Sequence, residues 1–214
     1  MAMTRSWVKR MRWCGVLLLL LLHGTSLAYA QPDVAALAAE RVAAERAHLW
    51  RVGAWGALNA AGGLALVAGL RRSERPAGWG FGAQSAAWGV VNMGIAAAGV
   101  LAGDATPPPS YARALAAERT FHDILLLNMG LNVAYSAVGT TMLIAGSRGV
   151  RNAAAWRGHG TALIVQGAGL FVLDGLALWA SRGRLDRLLA HSAEAMSGLS
   201  MHVAPGAVLL TYQF

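Results

Sequence analysis

Five amides and acids stand inside long apolar runs of this 214-residue chain: Asn59, Asn92, Asn128, Asn132 and Asp174. Polar groups at bilayer depth cost several kcal/mol (~2–7) unless a partner satisfies them, so they must turn toward one another and away from lipid. Gln84 and Gln166 accompany them, and Asn128, Asn132, Ser136 and Thr140 recur at every fourth residue. That spacing lays a polar stripe along one helix, within reach of Asn59, Asn92 and Asp174 across a common core. Asp174 is the sharpest of these residues, because an ionisable carboxyl deep in a span is by default a candidate carrier of a proton or cation. No basic residue is expected at its depth. A neutral acid hydrogen-bonded to Asn132 or Asn128 is then the cheaper state, and amide and carboxyl bonds that fix helix register are preferred here to transport.

A second candidate group, His48, His122 and Asp123, is expected at the outer mouth of the apolar runs. A metal would need three or four ligands returning to one point, and only Glu118 could join these three, so interfacial hydrogen bonding is preferred and no metal is expected. His159 falls on the opposite side, and His191 and His202 fall in the tail. HExxH, GxSxG and P-loop patterns are missing, and Gly80 and Gly82 head an apolar run rather than following a strand, so they read as packing. The single cysteine, Cys14, stands near the start of the chain. Neither an enzyme nor a cofactor is expected.

The elements that must position these groups come in two copies. Ala-Leu-Ala-Ala-Glu-Arg occurs at 36–41 and again at 114–119, each time ahead of two long apolar stretches. In both copies the first stretch holds a Leu-Asn pair, at 58–59 and 131–132, and ends in an Arg-rich turn before a Trp, at 71–79 and 148–156. Self-similarity of this kind predicts an all-α membrane protein: four transmembrane helices as two tandem duplicated hairpins, with a signal peptide and short amphipathic extramembrane helices. The expected divisions are a signal at 1–30, an amphipathic helix at 31–50, a first transmembrane hairpin at 51–102 and a loop with a short helix at 103–120. A second hairpin follows at 121–180, then an amphipathic helix and extended tail at 181–214. Glycines fill the spans, as close helix packing in lipid requires, and Trp residues near span ends read as interfacial anchors.

Composition agrees, with 56% hydrophobic residues and only 13% charged. Arg5, Lys9, Arg10 and Arg12, an apolar run at 16–22 and the exit Ala28-Tyr29-Ala30 form a secretory signal pattern with cleavage after Ala30, a retained anchor being the alternative. The formal charge of +8 overstates any basic partner: beyond residue 30, 14 Arg against 10 acids leave +4, most of it in inter-helix turns. Such turns orient helices in a bilayer, and no nucleic acid is expected. With residue 31 outside, the turns at 71–78 and 147–160 face the cytoplasm. Arg182, Arg184 and Arg187 then fall on the unfavoured side, an anomaly the four-span topology has to absorb. The alternation of Val208, Leu210, Tyr212 and Phe214 resembles the terminal strand of an outer-membrane barrel, but the body lacks ten-residue alternating strands, so a plain extended tail is preferred.

The layout as a whole resembles an uncharacterised family of small bacterial four-span membrane proteins, through Trp-Gly-x-Leu-Asn at 55–59 and Leu-Asp-Gly at 173–175. The resemblance implies a bacterial envelope setting and no activity. The expectation is a multi-pass protein of the inner membrane, with the outer membrane as the alternative. It would act as a structural or interaction component whose partners are the lipid bilayer and a membrane protein or second copy. The competing expectation is a small-solute or proton-coupled transporter subunit that uses Asp174.

Overall fold

The computed structural model describes residues 33–103, 106–197, 199–204 and 207–212. The expected signal peptide at 1–30 lies outside them.

Asp33 caps the first helix, its carboxylate accepting from the Ala35 N–H at 3.0 Å, and α1 then runs unbroken over Val34–Gly69. Pro76, preorganised for a first helical turn, opens α2 at Pro76–Ala102. Helix α3 spans Tyr111–Ser147 and α4 spans Ala153–Ser197. The turn between these two uses Gly149 and Asn152, both with positive φ. All four helices are long and apolar enough to cross a membrane. Every helix also exposes large apolar side chains, among them Leu58, Val90, Leu127 and Leu176, a surface that water would penalise and acyl chains would cover. The body is therefore all-helical, with the length and composition of a multi-pass membrane protein.

Amphipathic segments expected as separate helices are continuous with the spans. Residues 34–50 form the first half of α1, 111–120 open α3, and 185–196 are the last turns of α4. The physical reason is local: no proline or capping residue interrupts Leu49-Trp50-Arg51-Val52, so the hydrogen-bond ladder has nothing to stop it. The 36 residues of α1 reach about 54 Å at ~1.5 Å rise each, well beyond a hydrocarbon layer of ~30 Å. The N-terminal parts of α1 and α3 and the C-terminal part of α4 thus continue past the apolar stretches at one end. Residues 199–212, expected as a plain extended tail, pair instead as an antiparallel ribbon of β1 (Leu199–Ala204) and β2 (Ala207–Tyr212), with Leu199 opposite Tyr212. The alternation that suggested an extended chain is equally what a hairpin strand needs.

Close pairs form between α1 and α2 and between α3 and α4, and α2 also packs along α4. Glycine makes the close approach. A Cβ on Gly56 would stand 2.7 Å from the Gly89 carbonyl oxygen, and one on Gly139 would stand 2.6 Å from that of Gly160. The α2 and α3 backbones, by contrast, stay apart, and the rings of Trp88 and Tyr135 meet across the gap at 4.6 Å between centroids.

Candidate functional site

Asp174 lies on α4 at 4% exposure, and both of its oxygens are engaged. The Asn132 amide of α3 donates to Oδ2 at 2.6 Å, and Nε2 of His48 on α1 stands 3.0 Å from Oδ1. A basic residue therefore does sit at the depth of Asp174. His48, expected at the outer mouth, is only 5% exposed, its ring meeting the edge of Phe121. His48 Nδ1 has no hydrogen-bond partner among the described residues.

Two turns along α4, Gln166 gathers a second pair of contacts. Its Oε1 accepts from the Trp55 indole N–H at 3.0 Å and from the Asn92 amide at 3.3 Å. The expected single cluster is thus two, joining α1, α3 and α4 in one case and α1, α2 and α4 in the other. Asn59 belongs to neither: its amide donates to the Trp55 carbonyl of its own helix at 2.8 Å. Ser136 and Thr140 likewise donate to carbonyls one turn back on α3, so of the expected stripe it is Asn132 that reaches across to Asp174. Short hydroxyl side chains find their own i−4 carbonyl at lower cost than a distant helix. Trp55, one of the Trp residues near a span end, is half-buried and gives its indole N–H to the buried Gln166.

A cleft of about 280 Å³ opens beside the deep cluster. His48, Asp174, Asn132, Asn92 and the half-buried Asn128 line it together with apolar walls that include Val52, Phe121, Leu125 and Leu170. Trp88 and Tyr135 also line it, on the side where α2 and α3 separate. Such a space holds several waters or the body of a small molecule, and a few convergent polar groups in an apolar cleft are how ligands are oriented.

Nearer the overhanging end stands a third cluster that the sequence reading did not assemble. Glu118 is 1% exposed and takes two bonds from Arg184, Nε to Oε2 at 2.8 Å and Nη2 to Oε1 at 3.1 Å. The Ser181 hydroxyl donates to the same carboxylate at 2.6 Å, so the 3.3 Å contact of His122 Nδ1 with Ser181 Oγ places the hydrogen on His122. Glu40 lies 3.8 Å from Arg184 and accepts from Arg187 at 2.9 and 3.0 Å. Asp123 is exposed and takes no part. Two of the three anomalous arginines, Arg184 and Arg187, are here paired with acids of α1 and α3, while Arg182 is exposed. One available signal was the repeat itself, whose two copies place Glu40 and Glu118 at matching positions; another was Ser181 and Arg184, one turn apart on α4. Among the described residues no three His, Cys, Asp or Glu side chains group as a metal site.

The sequence model of a family described as a family of unknown function, DUF6992, matches residues 51–175, more than half of the chain, and the chain belongs to that family. The matched stretch contains Asn92, Asn132, Gln166 and Asp174, while His48 and Arg184 lie just beyond its ends. No curated protein matches, and no solved structure matches.

Proposed function

Starting from that membership, we propose that the chain is a small multi-pass protein of the bacterial envelope, set in the inner membrane, that carries a small solute or proton through the cleft beside Asp174. The observation that supports this reading is the cleft itself. A core serving architecture alone would be filled, because voids forfeit packing and unmade hydrogen bonds cost stability. Here open space adjoins Asp174 and the ring of His48, whose Nδ1 has no hydrogen-bond partner among the described residues. In this reading the chain acts without covalent chemistry, and the bilayer and a second copy or another membrane protein are its surroundings.

The same reading treats the chain as two tandem copies of one hairpin. A Cβ on Gly63 would clash with Gly82 and Ala86, and one on Gly139, 76 residues later, with Gly160 and Ile164, each 78 residues later. Gly89 abuts Gly56 and Ala60 as Gly167 abuts Asn132 and Ser136, at the same two offsets. On this alignment Asn132 answers to Gly56 rather than to Asn59: an amide has replaced a seam glycine, which is why it can reach α4.

A structural or interaction role in an envelope assembly is the second reading, favoured by the fully bonded Glu118 and Arg184 pair. Full-length protein in liposomes holding a pH-sensitive dye, with a potassium gradient and valinomycin as drive, separates the two. The carrier reading expects proton flux that Asp174→Asn abolishes while helix content is unchanged. Equal flux in both proteins leaves the structural role, and none in the wild type removes the proton as cargo.

A further inference from the structure

Charge is shared unequally between the two ends of the bundle. At the overhanging end arginines meet acids: Arg41 pairs with Glu45, Arg184 with Glu118 and Arg187 with Glu40. The opposite end gathers Arg71, Arg72, Arg75, Arg148, Arg151 and Arg157 in and beside the α1–α2 and α3–α4 turns, where Glu74 is the one acid of either turn. Arg75, Arg148 and Arg151 are exposed, and no acid reaches any of the three among the described residues. Like charges brought together in this way repel one another, and the excess has to be balanced from outside the chain.

Between the two turns lies an open cleft of about 840 Å³. Arg71, Arg72, Ser73 and Pro76 line one side of it, and Asn152 with the first turn of α4 lines the other. Arg72 lies over the ring of Trp79, 4.8 Å from the centroid, so its planar fork is braced before any ligand arrives. Nη1 of Arg71 donates to Glu74 at 3.1 Å, which leaves its other N–H groups for a second acceptor. Two guanidiniums beside a hydroxyl and a carboxamide suit the oxygens of a phosphate, which guanidinium binds in bidentate fashion.

The level of the cleft in the membrane identifies the occupant. Trp79 and Trp156 each stand in the first turn of a helix, where aromatic rings settle among lipid headgroups. Ile144, Val150 and Trp156 expose apolar surface close to the arginines. A soluble anion has no use for that surface, whereas the acyl chains of a lipid would cover it. We infer that the cleft seats the headgroup phosphate of an anionic phospholipid of the surrounding bilayer, held by Arg71 and Arg72. A zwitterionic lipid brings its own cation and leaves the excess charge where it was, so the site discriminates by net charge. The site is separate from the Asp174 cleft and stands whether or not that cleft carries a solute.

The test uses full-length protein in maltoside micelles, with native mass spectrometry reading the lipid that stays bound. At equal mole fractions the wild type should retain phosphatidylglycerol well above phosphatidylcholine. The double variant Arg71→Gln with Arg72→Gln should bind phosphatidylglycerol roughly thirtyfold more weakly, about fivefold for each guanidinium. Arg113→Gln with Arg182→Gln removes the same charge from exposed positions at the opposite end and should bind as the wild type does. All four positions are exposed, and circular dichroism checks that helix content is kept. Equal retention of the two lipids by the wild type overturns the inference. So does equal binding by the two double variants, which would make the arginines bulk charge that only orients the helices. Release of phosphatidylglycerol by equimolar pyrophosphate assigns the cleft to a soluble phosphate and overturns the lipid as occupant.

Discussion

Two buried polar clusters share α4 within ten residues, and they are built on opposite plans. At Ser181 and Arg184, the Glu118 carboxylate accepts three bonds from donors that are themselves almost fully buried, and nothing is left over. At Asp174 the carboxyl is nearly as buried and both oxygens are used, but among the described residues its histidine, which lines a cleft, keeps one nitrogen unpaired. A saturated network fastens helices; an unsaturated one next to space has bonding capacity for something else. Burial alone, nearly the same for Glu118 and Asp174, does not distinguish the two.

The contrast breaks most sharply at Glu118. Glu118→Ala leaves the Arg184 guanidinium buried without its main partner, and the loss should be about 3–5 kcal/mol, read from denaturant unfolding in detergent micelles. A loss below ~1 kcal/mol would mean that the guanidinium escapes to water and that the cluster fastens nothing. Next comes the glycine seam: Gly139→Leu sets a side chain against the Gly160 carbonyl and Ile164 and should cost about 1–3 kcal/mol by the same measurement.

Asp174→Asn should cost less, about 1 kcal/mol, since an amide keeps one acceptor and gains donors in nearly the same volume. Its effect should appear in flux rather than in stability. Were Asp174→Asn as destabilising as Glu118→Ala, the deep cluster would be a second fastener and the contrast would vanish. The smallest change is Gly62→Ala, where nothing beyond the helix's own backbone lies within 4 Å of the new methyl. It should raise stability by ~0.5–1 kcal/mol through helix propensity alone, giving the scale against which the seam glycine is judged.

Much of the deep site is legible in one dimension, and the reason is lipid. Asn92, Asn132 and Asp174 stand out because apolar neighbours leave them no local partner, and all three do bond across helices. Asn59 stands out for the same reason and yet bonds within its own helix, a choice set by side-chain rotamer and invisible to spacing. His48 precedes the apolar run that opens at residue 52 and is nonetheless buried beside Asp174, because burial depends on what packs against a helix and not on where its own hydropathy rises. Glu118 and Arg184 are 66 residues apart in sequence, and no periodicity links them.

What the chain determines by itself is its set of rods: apolar runs of bilayer length, Arg-rich turns and glycines at seven-residue spacing specify four helices and their close faces, since each is a property of residues near one another. Which leftover polar groups meet is decided only when the rods assemble. The His48 and Asp174 contact exists because α1 runs through Trp50 without breaking and α4 lies alongside. The cleft exists because α2 and α3 alone fail to close. Both depend on relative positions of helices far apart in the chain, and a hydrogen bond tolerates less than an ångström of error in that arrangement.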